Sequence, residues 1–81
     1  MSVAEKVKEI ILKILDVKED EVTPAATLID DLQATSIDLV EIFTAFENTF
    51  DVEIDSKKGE KIVTVQDAID MLNTAIAEKG A

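Results

Sequence analysis

The sequence predicts an all-α fold: a small bundle of three main helices plus one short helix, with a long loop between helices one and two. Three segments carry apolar residues at helical spacing, and each begins with a hydroxyl residue that is followed three positions later by an acid. The 81 residues include only two Gly and one Pro, too few for a chain of tight turns. We expect a single domain over residues 1–81, because a chain of this length supports one small core.

Helix one is predicted from about Val3 to Leu15. Its capping box is Ser2 with Glu5, in which the hydroxyl accepts a hydrogen bond from a free N–H of the first turn and the acid lies where the helix dipole favours negative charge. The predicted inner face consists of Val3, Val7, Ile10, Ile11 and Ile14.

The loop that follows, residues 16–35, is too long to lie unattached in a compact domain. Pro24 prevents a helix from continuing through it. The apolar residues that can anchor it across the bundle are Val17, Val22, Leu28, Ile29 and Leu32. We therefore expect a packed loop.

Helix two is predicted from Ser36 to about Phe50, with Thr35 as the N-cap and Asp38 as its partner. The inner stripe is Leu39, Ile42, Phe43, Phe46 and Phe50. The outer face combines apolar and acidic side chains; isolated apolar residues on a surface are common, yet an apolar centre within an acidic rim also suits transient docking of a basic partner. The candidate docking residues are Ile37, Asp38, Val40, Glu41, Thr44, Glu47 and Asn48.

The short helix is a brief turn between about Ser56 and Ile62, weakened by Gly59. The last helix begins after Thr64, which pairs with Asp67 in a third capping box. Its buried side is Val65, Ala68, Ile69, Leu72, Ala75 and Ile76. The stripes of the three main helices are expected to meet in one core.

The composition excludes several kinds of chemistry. The chain has neither Cys nor His, so disulfides, thiolate and imidazole metal ligands, and His-assisted serine catalysis are ruled out, and we expect no enzyme activity. No apolar run approaches the roughly 20 residues of a membrane span, and the N-terminal "MSVAEKVKEI" lacks the apolar segment of a signal peptide. We expect a cytoplasmic chain that does not insert into a membrane.

The net charge of −10 belongs to the middle of the chain. Residues 16–55 hold twelve acids and one lysine, whereas the remainder holds six acids and seven lysines. Nucleic acid is not expected as a partner, because its binding depends on cations that neutralise phosphates. Basic protein surfaces are the expected partners, with an attraction that salt weakens.

Ser36 lies at the positive end of helix two, just after the N-cap Thr35, and four roles compete for it. A catalytic nucleophile needs activation, and the nearest lysines in sequence, Lys18 and Lys57, are distant. An N-cap role is already filled by Thr35. A regulatory phosphosite and the attachment point of a phosphate-linked prosthetic group both remain, since a helix N-terminus favours phosphate.

The stretch "DLQATSID" resembles "DLGADSLD", the attachment motif of the acyl carrier protein family, with Ser36 at the modified serine. The segments "VKEDEVTPAATLIDDL", "VEIFTAFENTFDVEI" and "EKIVTVQDAIDML" also match the family pattern, so that the resemblance covers nearly the whole chain. It implies a single acyl carrier domain. It also implies a 4'-phosphopantetheine arm, transferred from coenzyme A to Ser36 by a phosphopantetheinyl transferase.

The same resemblance implies that the arm carries acyl groups as thioesters. Its clients would be acyl-transfer, synthase or ligase enzymes with basic docking patches, in fatty-acid, polyketide or other lipid biosynthesis, and the carrier is expected to be a monomer. In this family the acyl chain can slip between the helices. The corresponding cavity residues are Leu28, Phe43, Phe46, Ile62 and Ile69, although simple core packing also explains each of them.

The chain departs from the family pattern at several positions. Thr35 replaces an Asp that the transferase reads, and Thr44 stands where a larger apolar residue is frequent. Gln33 stands where Gly is common, which costs roughly 1 kcal/mol if the position needs a positive φ. The basic residues at usually acidic positions are Lys57, Lys58 and Lys61. These departures predict a specialised carrier rather than the housekeeping carrier of fatty-acid synthesis.

Metal binding and a second function are weighed beside the carrier interpretation. A calcium-binding loop opening at Asp51 fails, because its sixth position is Ser56 rather than Gly and its twelfth is Ile62 rather than Glu. The acids that could bind a divalent cation weakly, by relief of their repulsion, are Asp30, Asp31 and Asp38. The alternative function is a small acidic helical adaptor that binds a basic partner without modification.

Overall fold

Four α-helices and one 3-10 turn make up the fold in the computed structural model, which describes residues 2–80. The elements in chain order are α1 (Val3–Ile14), the 3-10 turn (Glu19–Glu21), α2 (Ser36–Phe50), α3 (Ser56–Glu60) and α4 (Val65–Gly80). The predicted all-α class and its long first loop are confirmed. The first and last residues of the predicted domain, Met1 and Ala81, lie outside the described residues.

The predicted capping boxes form at the starts of the long helices. At α1 the Ser2 hydroxyl accepts from the Glu5 N–H at 3.1 Å, and the Glu5 carboxylate accepts from the Ser2 N–H at 3.3 Å. At α4 the Thr64 hydroxyl accepts from the Asp67 N–H at 3.1 Å, and the Asp67 carboxylate accepts from the Thr64 N–H at 3.0 Å. Each pair satisfies two N–H groups that the helix itself leaves free.

The core forms where α1, α2 and α4 meet, as the three stripes predict. Its buried helical residues are Val7, Ile10, Ile11, Ile42, Phe46, Val65, Ala68, Leu72 and Ala75. The other predicted stripe residues are half-buried at the edge of this core: Val3, Ile14, Leu39, Phe43, Phe50, Ile69 and Ile76. Every buried side chain in residues 2–80 is apolar, so that no polar group there has to be compensated by a buried partner.

The long loop packs across the bundle with one exception to the predicted anchors. Val22, Leu28 and Leu32 are buried and Val17 is half-buried. Ile29 was expected to be an anchor, but it is 60% exposed. The reason is the tight turn over residues 28–32, which directs two leucines four positions apart into the core and leaves their neighbour outside.

Backbone hydrogen bonds tie this loop to the segment that precedes α4. The Leu28 N–H donates to the Val63 carbonyl and the Val65 N–H donates to the Ala26 carbonyl, both at 3.0 Å. Between them, Thr27 and Thr64 form an isolated antiparallel bridge. The loop therefore satisfies its buried backbone groups through a partner segment, as a packed loop must.

An ion pair joins the C-terminal ends of α2 and α4. Lys79 Nζ lies 2.8 Å from Asp51 Oδ2, and the hydrogen bond and charge of this ammonium hold the pKa of the Asp51 carboxyl below its usual range. Asp51 is the C-cap of α2 and has a left-handed conformation, with φ of 54°. Since α2 rises about 1.5 Å per residue, the end of α4 lies roughly 20 Å from the start of α2.

Gln33 has a φ of 59°, so the position that the family fills with Gly does require a left-handed backbone. We expect Gln33→Gly to raise the free energy of unfolding by about 1 kcal/mol, because glycine has no Cβ to strain there. Urea denaturation with a fitted midpoint and slope measures this change. The matched control is Gln33→Ala, which keeps the strain and should change stability little; equal effects of Gly and Ala would contradict the prediction.

The lowered pKa of Asp67 predicts that the stability of the fold decreases at acid pH. Hydrogen bonds from the Thr64 and Val63 N–H groups lower its pKa below the usual 3.8. A carboxyl with a lowered folded-state pKa contributes stability above its unfolded pKa, and that contribution is lost as the pH falls through the folded value. Asp67→Asn should therefore melt at a lower temperature than the parent above about pH 5, and the difference should shrink on acidification below the usual value.

The control for this experiment is Asp70→Asn, which removes the same charge from an exposed position of α4. Melting temperatures of the three proteins across the acid range provide the comparison. A difference between parent and Asp67→Asn that stays constant with pH would show that ionisation of Asp67 does not stabilise the fold.

Candidate functional site

Ser36 is the first residue of α2 and is exposed, as predicted. Thr35 is the N-cap: its hydroxyl accepts from the Asp38 N–H at 3.2 Å, and the Asp38 carboxylate accepts from the Thr35 N–H at 3.0 Å. Within residues 2–80 the Ser36 hydroxyl has no hydrogen-bond partner. The Ser36 hydroxyl is therefore not needed to cap the helix.

The start of α2 is also an electropositive position. The Leu39 N–H donates to the Thr35 carbonyl at 3.0 Å, and the Asp38 N–H is occupied by the cap. The Ser36 and Ile37 N–H groups have no acceptor in the part of the chain that the structure describes. Free N–H groups at the positive end of a helix stabilise a phosphate placed there.

The acids before Ser36 do not build a metal site. The Asp31 carboxylate accepts from the Thr27 N–H at 2.8 Å and the Thr27 hydroxyl accepts from the Asp31 N–H at 2.9 Å, which closes the turn before α2. Among residues 2–80, no group of three potential ligands converges into a site that could hold a metal ion. Asp31 and Asp38 are engaged in local backbone hydrogen bonds. Weak binding of a divalent cation by relief of the repulsion among Asp30, Asp31 and Asp38 stays a prediction.

The candidate docking face has an exposed apolar centre. Ile37 is 72% exposed and Val40 is 64% exposed. The exposed polar residues of the face are Glu41, Thr44 and Asn48. Asp38 and Glu47 are only half-exposed, because Asp38 caps α2 and Glu47 Oε2 accepts from the Ile54 N–H at 3.0 Å. These two acids have structural partners as well as a place on the face.

A groove of about 510 Å³ opens beside α2. Its lining comes from the loop, α2 and the segment around α3, and comprises Thr27, Ile29, Asp30, Leu39, Phe43, Ile54, Asp55, Ser56, Gly59, Glu60, Ile62 and Val63. A largely apolar cavity of this size is typical of small-molecule sites. Of the predicted cavity residues, Phe43 and Ile62 line the groove.

The remaining three predicted cavity residues do not line this groove, and their role toward an acyl chain stays a prediction. Leu28 and Phe46 are fully buried in the core, and Ile69 packs at its edge, so that none of them lines the groove. Besides five polar or charged residues, the lining residues that were not predicted from the sequence are Ile29, Leu39, Ile54, Gly59 and Val63. The sequence does contain an indication for Ile29. In a tight turn that buries two leucines four positions apart, the residue directly after the first leucine faces outward.

Ser36 and the groove lie on one side of α2. With 3.6 residues per turn, Leu39 and Phe43 fall within about 60° of Ser36 around the helix axis. Phe43 lies about 10 Å further along the helix. A group attached to Ser36 therefore starts above the groove rather than on the opposite face of the helix.

The basic residues of the α3 region, Lys57, Lys58 and Lys61, are exposed. The ion pairs within residues 2–80 involve other lysines. These three positive charges are therefore available for interactions with a partner, and none of the three side chains lines the groove.

Comparison with known proteins finds similarity to carriers of a phosphopantetheine group. A family model described as the phosphopantetheine attachment site matches residues 5–72. A solved structure of an acyl carrier protein from Enterococcus faecalis, studied for its high thermal stability, is 36% identical to this chain and superposes with a TM-score of 0.78. The match covers 93% of this chain and 99% of that protein. No helix in residues 2–80 has the length and apolar character needed to cross a membrane.

Proposed function

The chain belongs to the acyl carrier protein family, whose prosthetic group is 4'-phosphopantetheine, and on this premise we propose that Ser36 holds the arm and that the chain presents acyl groups to biosynthetic enzymes. The observation that carries this proposal is the geometry of Ser36. Its hydroxyl is exposed and unbonded within residues 2–80, at the first position of a 15-residue helix.

The residues around Ser36 fit a phosphodiester. The free N–H groups of Ser36 and Ile37 can donate to phosphate oxygens, and the helix dipole favours the negative charge. Asp38 stays engaged with Thr35, so that its carboxylate is held at the cap. Because Ser36 is exposed, its hydroxyl is accessible to a modifying enzyme.

When bound, the arm supplies the terminal thiol that carries an acyl group as a thioester, a chemistry that the chain itself cannot provide because it has no Cys. The contribution of the chain is to position the arm and its acyl group. Ser36 fixes one end of the tether on the groove side of α2, and Leu39, Phe43 and Ile62 offer apolar surface that excludes water from an acyl chain. We propose no catalytic residue in the chain.

The outer face of α2 suits the docking of enzymes with basic patches. Exposed Ile37 and Val40 give an apolar centre, and exposed Glu41 adds negative charge beside it. Charge of this kind speeds the encounter, and apolar contact then fixes the orientation. The partners that we propose are a phosphopantetheinyl transferase and cytoplasmic acyl-transfer, synthase or ligase enzymes of fatty-acid, polyketide or other lipid synthesis.

The departures from the family motif favour a specialised carrier. Thr35 preserves the cap but removes a carboxylate from the start of α2, and the exposed lysines of the α3 region add positive charge to that part of the surface. An enzyme adapted to a uniformly acidic carrier would meet a different charge pattern here. Failure to support ordinary fatty-acid chain elongation at normal rates is the expected consequence.

Loading with a promiscuous phosphopantetheinyl transferase and coenzyme A tests the attachment site. The intact mass should increase by one phosphopantetheine, and Ser36→Ala should abolish the increase while its circular dichroism spectrum stays unchanged. The matched control is Ser56→Ala, which removes another exposed serine that opens a helix after an acidic N-cap. Unmodified parent protein, or loading that persists in Ser36→Ala, would overturn the proposal.

Charge reversal tests the docking face. Glu41→Lys should lower kcat/KM of the transferase roughly three- to tenfold at low salt, because a favourable charge contact becomes repulsive, and the deficit should shrink as ionic strength rises. Glu78→Lys is the control: it makes the same change at an exposed position beside the far end of α2. Equal losses in the two variants would indicate an effect of net charge rather than of docking.

A further inference from the structure

The Phe43 ring lies against the backbone of Gly59. A Cβ placed on Gly59 would lie 3.2 Å from Phe43 Cε2 and 3.5 Å from Cδ2. The first distance is shorter than ordinary carbon contacts. The missing side chain in α3 therefore makes room for the ring on α2, and the two residues are matched as a large and a small partner.

Phe43 also lies at the boundary between the groove and the core. It lines the groove, whereas its aromatic neighbour Phe46, with ring centroids 6.4 Å apart and planes tilted by 36°, is fully buried and does not line it. Leu28 and Ile69 are likewise packed in or against the core outside the groove lining. The Phe43 ring therefore faces the groove and also lies beside the buried Phe46 ring.

We propose that Phe43, seated against Gly59, is a specificity-determining residue that limits how far a tethered apolar acyl chain can enter the groove, and so sets the longest chain that is sheltered. This inference rests on the proposed function, since the cargo is the acyl group tethered at Ser36. A chain that enters past Leu39 gains about fourfold in its sheltering equilibrium for each buried methylene. The gain stops when the chain meets the ring.

A ladder of saturated acyl groups, loaded as acyl-phosphopantetheine from the coenzyme A thioesters, tests the proposal. Intact mass reports loading, and the rate of thioester cleavage by hydroxylamine reports sheltering. In the parent protein, protection should rise with chain length and then level off at a limiting chain length. In Phe43→Val, the chain length at which protection levels off should increase.

A second substitution separates groove length from damage to the fold. Gly59→Ala alone should lower the melting temperature, because its Cβ meets the ring, and should have little effect on stability in combination with Phe43→Val. The double variant should retain the longer limit. Phe43→Leu provides a milder change, and Phe50→Val is the control, since Phe50 lies on α2 outside the groove lining and should leave the limit unchanged.

The outcomes distinguish the two proposals. No gain in mass on any loading reaction would overturn the assignment of Ser36, and this inference with it. Full loading, with the same limiting chain length in the parent, in Phe43→Val and in the double variant, would overturn the role of Phe43 alone.

Discussion

The backbone pairing between the long loop and the segment before α4 is the constraint on which the rest of the structure depends. Two hydrogen bonds of 3.0 Å, from Leu28 to Val63 and from Val65 to Ala26, hold the middle of the loop against the entry to the last helix. Because buried backbone groups need partners, this pairing fixes where the loop lies. It also positions two lining residues of the groove, since Val63 is one of the paired residues and Ile29 directly follows Leu28.

The same pairing positions the start of α2. The Leu28 carbonyl accepts from the Ala34 N–H at 2.9 Å, which brings the chain around immediately before Thr35. The left-handed Gln33 completes this turn. The strain at Gln33 is therefore retained because several hydrogen bonds on either side over-determine the backbone. The exposed hydroxyl of Ser36 depends on contacts made ten residues earlier in the chain.

Helix positions and caps could be predicted from the sequence because both signals are local. Spacing of apolar residues defines one face, and a hydroxyl with an acid three positions later defines a start, which explains why the N-caps at Ser2, Thr35 and Thr64 were found. The groove could not be predicted in the same way. Whether Phe46 lines a cavity or fills the core depends on how α3 sits beside α2, a tertiary relation that no local pattern contains.

The positive φ at Gln33 could be anticipated only in part. Its sequence neighbourhood gives no sign of a left-handed residue, and only the resemblance to a family with Gly at this position raised the question. Ile29 shows the opposite case, where an apolar residue in an anchoring pattern lies in solvent. Hydrophobicity identifies candidates for burial, whereas the geometry of a turn selects among them.

The wholly apolar interior of residues 2–80 also bears on how such a carrier diversifies during evolution. Interiors of this kind tolerate exchanges among aliphatic and aromatic side chains as long as the total volume is conserved. No buried hydrogen-bond network has to be rebuilt when one of these residues changes. Paired exchanges of size can therefore reshape the groove, while the exposed Ser36 at the start of α2 and the helices around it remain as they are.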